Sequence, residues 1–255
     1  MHMSSMEVFI NVLIITADQP MPPHDSPRYE MLFSEGVFNG TLLIGPDPLG
    51  ANFDFQVFLE AKRKMKLIGL QMTDSERGLE EYQKTFNFNG NIIKARIRLV
   101  LGRNYHGNLQ ELWRKALANE DLIYLKTHAG YGRHLSLSDD VSYFTDAMKK
   151  GSDHPRKKPH QLVYLDCCKS EMYYKEIMRS YVGEDADLIL HKWFCDYLII
   201  GPVIVLLEEL MNVSDFETIV SKMNDEYGIP HFDVEDEPED MRLDRKMVTY
   251  STGKR

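Results

Sequence analysis

Two residues stand where chemistry is possible, His128 and Cys168, each directly after an apolar run: 122-LIYLKTHAG-130 and 162-LVYLDCCKS-170. A thiolate is a nucleophile, and an imidazole beside it can stabilise that thiolate and later protonate a leaving amine. Forty positions separate the two, room for one helix and one loop, which is what a crossover between neighbouring parallel strands needs. In an open parallel sheet the carboxyl ends of adjacent strands face one crevice, so the pair is expected to meet there. A helix starting near Glu171 would turn its positive end toward Cys168 and lower the thiol pKa. Gly130 and Gly132, after the histidine, let backbone N–H groups approach a substrate carbonyl, as an oxyanion hole requires.

Each residue also has a plainer reading. A lone histidine at a strand end is usually a satisfied structural residue, and a free cysteine usually behaves as a small buried hydrophobe. His128, His134, His154, His160, Cys167, Cys168 and His191 crowd one region, but no C-x-x-C or H-x-x-x-H pair occurs among them, so no zinc site and no cofactor are expected. Tyr173 and Tyr174 fit one buried and one exposed position of a helix. Trp193 and Phe194 suit core packing, or the rim of a cleft.

The elements that must position the pair follow from periodicity. Residues 29–33, 40–45 and 66–72 read as strands, 54–65 as a helix and 76–86 as a mostly solvated helix. Four prolines in 18-DQPMPPHDSPR-28 exclude a regular element there. Further on, 92-IIKARIRLV-100 is a strand by its β-branched content, and 108–119 is an amphipathic helix capped by Asn108. A helix over 138–150 and a polar stretch over 151–159 separate the two apolar runs. A helix over 171–180, a strand over 186–190 and helices over 202–212 and 214–228 complete the pattern. Strand and helix signals alternate, which predicts an α/β sheet with parallel neighbours and right-handed crossovers.

Bulk properties narrow the function classes. A chain of 255 residues with 43% hydrophobic content supports one core, so residues 1–229 are expected to form a single domain and 230–255 a loose acidic tail, or an edge piece that folds back. The run 233-DVEDEPED-240 holds six carboxylates; without them the net charge of −9 falls to −3. With only the short 156-RKKPH-160 as a basic cluster, nucleic acid is not an expected partner. Three cysteines, two of them adjacent, do not make a disulfide framework, which suits a reducing, cytoplasmic setting. The apolar 8–15 run has no preceding Lys or Arg and reads as a buried first strand. The 198–207 run is shorter than the roughly 18 residues a bilayer span needs, so no membrane partner is expected.

The two blocks resemble those of the caspase-like cysteine peptidases of clan CD, in which a hydrophobic strand ending in His-Gly precedes a second one ending in a short polar motif with the nucleophile. The resemblance covers residues 92–212 and is nearest to the metacaspase and legumain versions, with an acidic residue two places before the nucleophile. It is also similar to bacterial caspase-like proteins in Tyr131-Gly132 and in Cys168, Ser170, Tyr173 and Tyr174. It implies a caspase-hemoglobinase-like three-layer α/β/α sandwich with a mostly parallel sheet, and an endopeptidase acting on a protein or peptide substrate. Cys168 would be the nucleophile, with Cys167 the alternative, and His128 its partner. The backbone of Ala129, Gly130 and Cys168 would hold the oxyanion. Asp166 would line S1 and favour a basic P1 residue, or else cap the following helix. The chain departs from the pattern in His128-Ala129-Gly130 and in Lys169-Ser170-Glu171, where metacaspases have His-Ser-Gly. The alternatives from other classes are a catalytically inactive interaction module of the same fold and a flavodoxin-like small-molecule binder; the proline-rich 18–28 loop in place of a phosphate-cradling glycine loop speaks against the latter. The acidic run is also a candidate occupant of a basic-selective cleft.

Overall fold

The apolar runs of the second half are buried on both faces, the signature of central parallel strands. The computed structural model describes residues 27–47, 52–129, 135, 137, 157–183, 186–192, 194–227 and, as backbone, 248–251. Its strands are β1 (Val37–Ile44), β2 (Gln71–Glu76), β3 (Leu79–Phe88), β4 (Asn91–Leu101), β5 (Leu122–Lys126), β6 (Gln161–Asp166), β7 (Ala186–His191) and β8 (Val248–Ser251). Its helices are α1 (Tyr29–Leu32), α2 (Phe53–Leu67), α3 (Leu109–Asn119), α4 (Ser170–Val182), α5 (Gly201–Met211) and α6 (Phe216–Glu226). All described strands join one sheet in the order β2-β3-β4-β1-β5-β6-β7-β8. The β4-β1-β5-β6-β7 centre is parallel, and β2, β3 and β8 pair antiparallel.

Alternation along each strand sorts its side chains onto two faces. Leu122, Tyr124, Leu162, Tyr164 and Ile189 join the core beneath α2, α5 and α6. Ile123, Leu125, Val163, Leu165, Leu188 and Leu190 join a second core with α3 and α4. Helices therefore cover both faces of a mostly parallel sheet, the expected α/β arrangement. Asn108 caps α3 by accepting from the Glu111 N–H, as anticipated, and Asp215 does the same for α6 through Thr218. No helix among the described residues is long and apolar enough to cross a membrane.

Three expected elements differ. Residues 29–32 are helical rather than extended, because Tyr29, Leu32 and Phe33 form a helical face against the first core, and the Tyr29 hydroxyl donates to the Ser214 carbonyl at 2.5 Å. Lys66 and Leu67 finish α2, so the strand expected over 66–72 starts only at Gln71. The charged 76–86 stretch is β3 of a hairpin, not a helix. Gly78 turns the chain at φ +77, and a Cβ there would lie 2.5 Å from the Asn104 carbonyl carbon, so glycine is required. Beyond it Glu80 and Tyr82 are buried on alternate positions, with the Tyr82 hydroxyl donating to Glu80 and Lys62 paired to the same carboxylate. Within the 230–255 tail, Val248–Ser251 folds back as an edge strand along β7, one of the two alternatives expected. The first strand expected over 8–15, the helix over 138–150 and the acidic 233–240 run lie outside the described residues.

Candidate active site

β5 and β6 run side by side with Lys126 opposite Asp166. The ladder continues one step, the Thr127 N–H donating to the Asp166 carbonyl at 3.2 Å. His128 and Cys168 each stand two residues past that last pair and leave neighbouring strands in step, which is the relationship the sequence required. Strands in a sheet lie about 4.8 Å apart, so the two residues leave adjacent strands at the same end of the sheet.

The histidine is framed from β1. Its imidazole stacks on Tyr197, with centroids 4.7 Å apart and the planes 7° from parallel, and its Nε2 lies 3.8 Å from Asp47 Oδ1. Tyr197 is held in turn by donating to the Gly45 carbonyl at 2.8 Å. Gly45 extends the β1–β5 ladder by donating to the Lys126 carbonyl at 2.8 Å, and a Cβ there would come within 3.0 Å of Thr127 Oγ1. Just past the histidine, the buried Ala129 accepts from the Tyr174 hydroxyl, so α4 fixes the backbone expected to serve the oxyanion. Tyr174 is thus the buried member of the tyrosine pair. Gly130, Tyr131, Gly132, His134, His154 and Trp193 lie outside the described residues.

The three thiols have distinct surroundings. Cys168 is half-buried; its Sγ lies 4.0 Å from Cys195 Sγ and 3.7 Å from the Cys195 carbonyl oxygen. Its pKa falls to about 6, chiefly because the Cys195 thiol donates to the thiolate, with Lys126 adding positive charge against the cost of burial. Cys195 is pushed well up by the same sharing with Cys168 and by burial. Cys167 is fully buried, its thiol raised by burial and by Asp166, so the expected alternative nucleophile is neither accessible nor ionised. Lys169, directly after Cys168, adopts a left-handed conformation at φ 53, ψ 33. A non-glycine residue there stores on the order of 1 kcal/mol of strain. The turn presents Cys168 ahead of α4, and Ser170 locks it by donating to the Leu165 carbonyl at 2.9 Å while accepting from the His191 N–H at 2.7 Å.

Asp166 is where the geometry departs most from expectation. Its carboxylate is fully buried rather than lining an open pocket, and it neither caps α4 nor faces solvent. It contacts Lys126 Nζ at 3.0 Å, His191 Nε2 at 3.0 Å, the Tyr124 hydroxyl at 2.7 Å and the Tyr227 hydroxyl at 3.2 Å. Burial would raise the carboxyl, but Lys126 and then His191 outweigh it and hold it well below the usual carboxylate range. Burial likewise pulls the Lys126 ammonium down, and Asp166 more than restores it, leaving its pKa raised. Lys126 also donates to the Asp196 carbonyl at 2.8 Å, tying the loop after β7 to β5.

Asp166, His191 and Cys195 offer ligand atoms within 4.8 Å of one another, a grouping the spacing of the sequence did not reveal. The Asp166 carboxylate is already bonded by the Lys126 ammonium and the Tyr227 hydroxyl, and that hydroxyl also bonds His191 Nε2. His160, the other described histidine of the crowded region, pairs with Asp187 at 3.0 Å beside the starts of β6 and β7, away from the crevice. Phe194 is exposed, with Lys169 Nζ 4.6 Å above its ring, so core packing is not its role.

Asp47, Lys126, Tyr197 and the approach of Cys195 to Cys168 escaped the sequence reading. One signal was present: Lys126 and Asp166 close two otherwise apolar runs at the same position with opposite charge. No protein-family model matches the chain, and no curated protein matches it.

Proposed function

We propose that the chain is a caspase-like cysteine endopeptidase in which Cys168 is the nucleophile and His128 the general acid–base. The observation that carries this reading is the paired exit of the two residues from β5 and β6, with Lys126 opposite Asp166 immediately before them. The lowered pKa of the Cys168 thiol supports it, since the more readily a thiol ionises the less a base must do before attack. The thiolate adds to a substrate carbonyl, the backbone N–H groups after His128 and at Cys168 hold the oxyanion, and His128 protonates the leaving amine. Water then releases the acyl group from Cys168. The αL turn at Lys169 and the Tyr174 tether on Ala129 support a pre-set geometry of the kind such a site needs.

A basic P1 residue gains little from Asp166, whose charge Lys126 already balances. A fluorogenic peptide panel with Arg, Lys, Asn and Asp at P1 settles that preference, and cleavage after Asp would exclude it. One observation favours an inactive interaction module of the same fold: His128 is stacked on Tyr197 with Nε2 directed to Asp47. Active-site labelling separates the two. An acyloxymethyl-ketone probe is expected to modify Cys168 far faster than Cys195, and to lose that bias in His128→Ala. Equal, slow labelling of all three thiols would establish the inactive module instead.

A further inference from the structure

Two thiols from different strands converge at the crevice. Cys168 follows β6, Cys195 lies four residues past the end of β7, and their sulfurs are 4.0 Å apart. A disulfide needs about 2.05 Å between sulfurs, so they must close by roughly 2 Å. Neither is locked in regular structure. Cys168 occupies the turn between β6 and α4, and Cys195 belongs to the irregular stretch 194–200 before α5. Cys167 is excluded from the exchange by complete burial among the residues of the second core.

We propose that Cys168 and Cys195 form a peroxide-reactive dithiol, in which a hydroperoxide oxidises Cys168 and Cys195 resolves the product as an intramolecular disulfide. In the first step the Cys168 thiolate attacks the distal oxygen of the hydroperoxide. The S–O bond forms, the O–O bond breaks and the leaving alkoxide takes up a proton as the alcohol; sulfur loses two electrons and the peroxide gains them. In the second step the Cys195 sulfur attacks the sulfenic acid. The S–S bond forms, the S–O bond breaks, and the departing hydroxide takes the Cys195 proton and leaves as water. An external dithiol reverses the cycle by exchange.

The surroundings fit both steps. Before oxidation Cys195 donates its proton toward the Cys168 thiolate, the main reason its own thiol is held up. Once Cys168 is a neutral sulfenic acid that restraint disappears; burial still raises the Cys195 thiol, and Lys126, which favours its thiolate, stays in place. The largest restraint on the resolving thiol is therefore removed by the event it must resolve. The dithiol stands whether or not Cys168 also hydrolyses peptides; if it does, disulfide formation silences that activity reversibly.

The test uses the full, reduced chain with a small excess of hydrogen peroxide at neutral pH, followed by peptide mapping with tandem fragmentation. Cleavage after Lys169 and Lys192 separates the two cysteine peptides. The expected result is a Cys168–Cys195 cross-link that dithiothreitol removes, formed on the order of tenfold faster than any modification of Cys167. The near-isosteric Cys195→Ser is expected to accumulate a dimedone-reactive sulfenic acid on Cys168. Survival of both thiols, oxidation of Cys167 first, or passage of wild-type Cys168 to sulfinic acid without cross-linking would each overturn the proposal. Cleavage of the fluorogenic peptides by the reduced chain reports on peptide hydrolysis separately, so either reading can fail alone.

Discussion

The Lys126 ammonium and the Asp166 carboxylate, both fully buried, lie 3.0 Å apart at the paired last residues of β5 and β6. The pair fixes the register at the point where the chain leaves the sheet toward His128 and Cys168, and its positive member faces both thiols. Removing one partner strands a charge in the core, which costs about 3–5 kcal/mol, whereas replacing both by neutral groups costs less. Lys126→Met is therefore expected to destabilise the fold by that amount in urea unfolding, and Lys126→Met with Asp166→Asn to recover part of the loss. A double variant no more stable than the single one would show that the two charges do not depend on each other.

Cys168 should react as a thiolate well below the pH at which a free thiol does. Its folded pKa of about 6 lies under the ordinary thiol value of about 8.5, so the folded state favours the ionised form. The stabilisation this contributes is complete above the unfolded value and is lost as pH falls through about 6. Iodoacetamide alkylation of Cys168, followed by mass spectrometry, is expected to show a midpoint near pH 6. Cys195→Ala, lacking the principal donor, should move that midpoint upward toward a free thiol. An unchanged midpoint would assign the depression to the backbone of residue 195 and to Lys126.

What the sequence disclosed follows from where neighbours lie. β5 and β6 were legible because a strand buried on both faces leaves an uninterrupted apolar run, and the reactive residues mark where each run stops. Asn108 was legible because a cap acts on its own helix. The 76–86 stretch was not, since its Glu, Gln and Lys favour a helix locally, and only the Gly78 turn and the pairing with β4 override that preference. Tyr29–Leu32 was too short for period alone to separate helix from strand. Within the site, His128 and Cys168 showed themselves individually. The burial of Asp166 depends on Lys126 turning inward to meet it, and the second thiol depends on the path after β7; no local pattern encodes either.

Ser170 joins three elements through one hydroxyl, donating to Leu165 at the end of β6 and accepting from the His191 N–H at the end of β7. Each buried hydrogen bond contributes about 1 kcal/mol net, and an orphaned buried N–H costs more. Ser170→Ala is expected to lower stability by about 2–3 kcal/mol by denaturant titration. Because the same hydroxyl anchors the turn at Cys168, probe labelling at a pH above the thiol's midpoint should slow as well. A stability loss with labelling unaltered would confine Ser170 to holding the sheet.

Asp47 is the acidic group facing His128, with Oδ1 3.8 Å from Nε2, too long for a neutral hydrogen bond but close enough to attract an imidazolium. It acts through the histidine, so it belongs with the positioning residues. Asp47 also accepts from the Phe53 N–H at the start of α2, a role that asparagine can retain. Asp47→Asn should therefore leave the fold intact while removing the charge that steadies protonated His128. The expected outcome is a fall of roughly tenfold in the maximal rate of alkylation by the acyloxymethyl-ketone probe, with little change in the probe concentration needed for half-maximal rate. Asp47→Glu should restore most of the rate if charge is what matters. If Asp47→Asn instead weakens probe binding and leaves the maximal rate alone, Asp47 shapes the cleft and another group orients the imidazole.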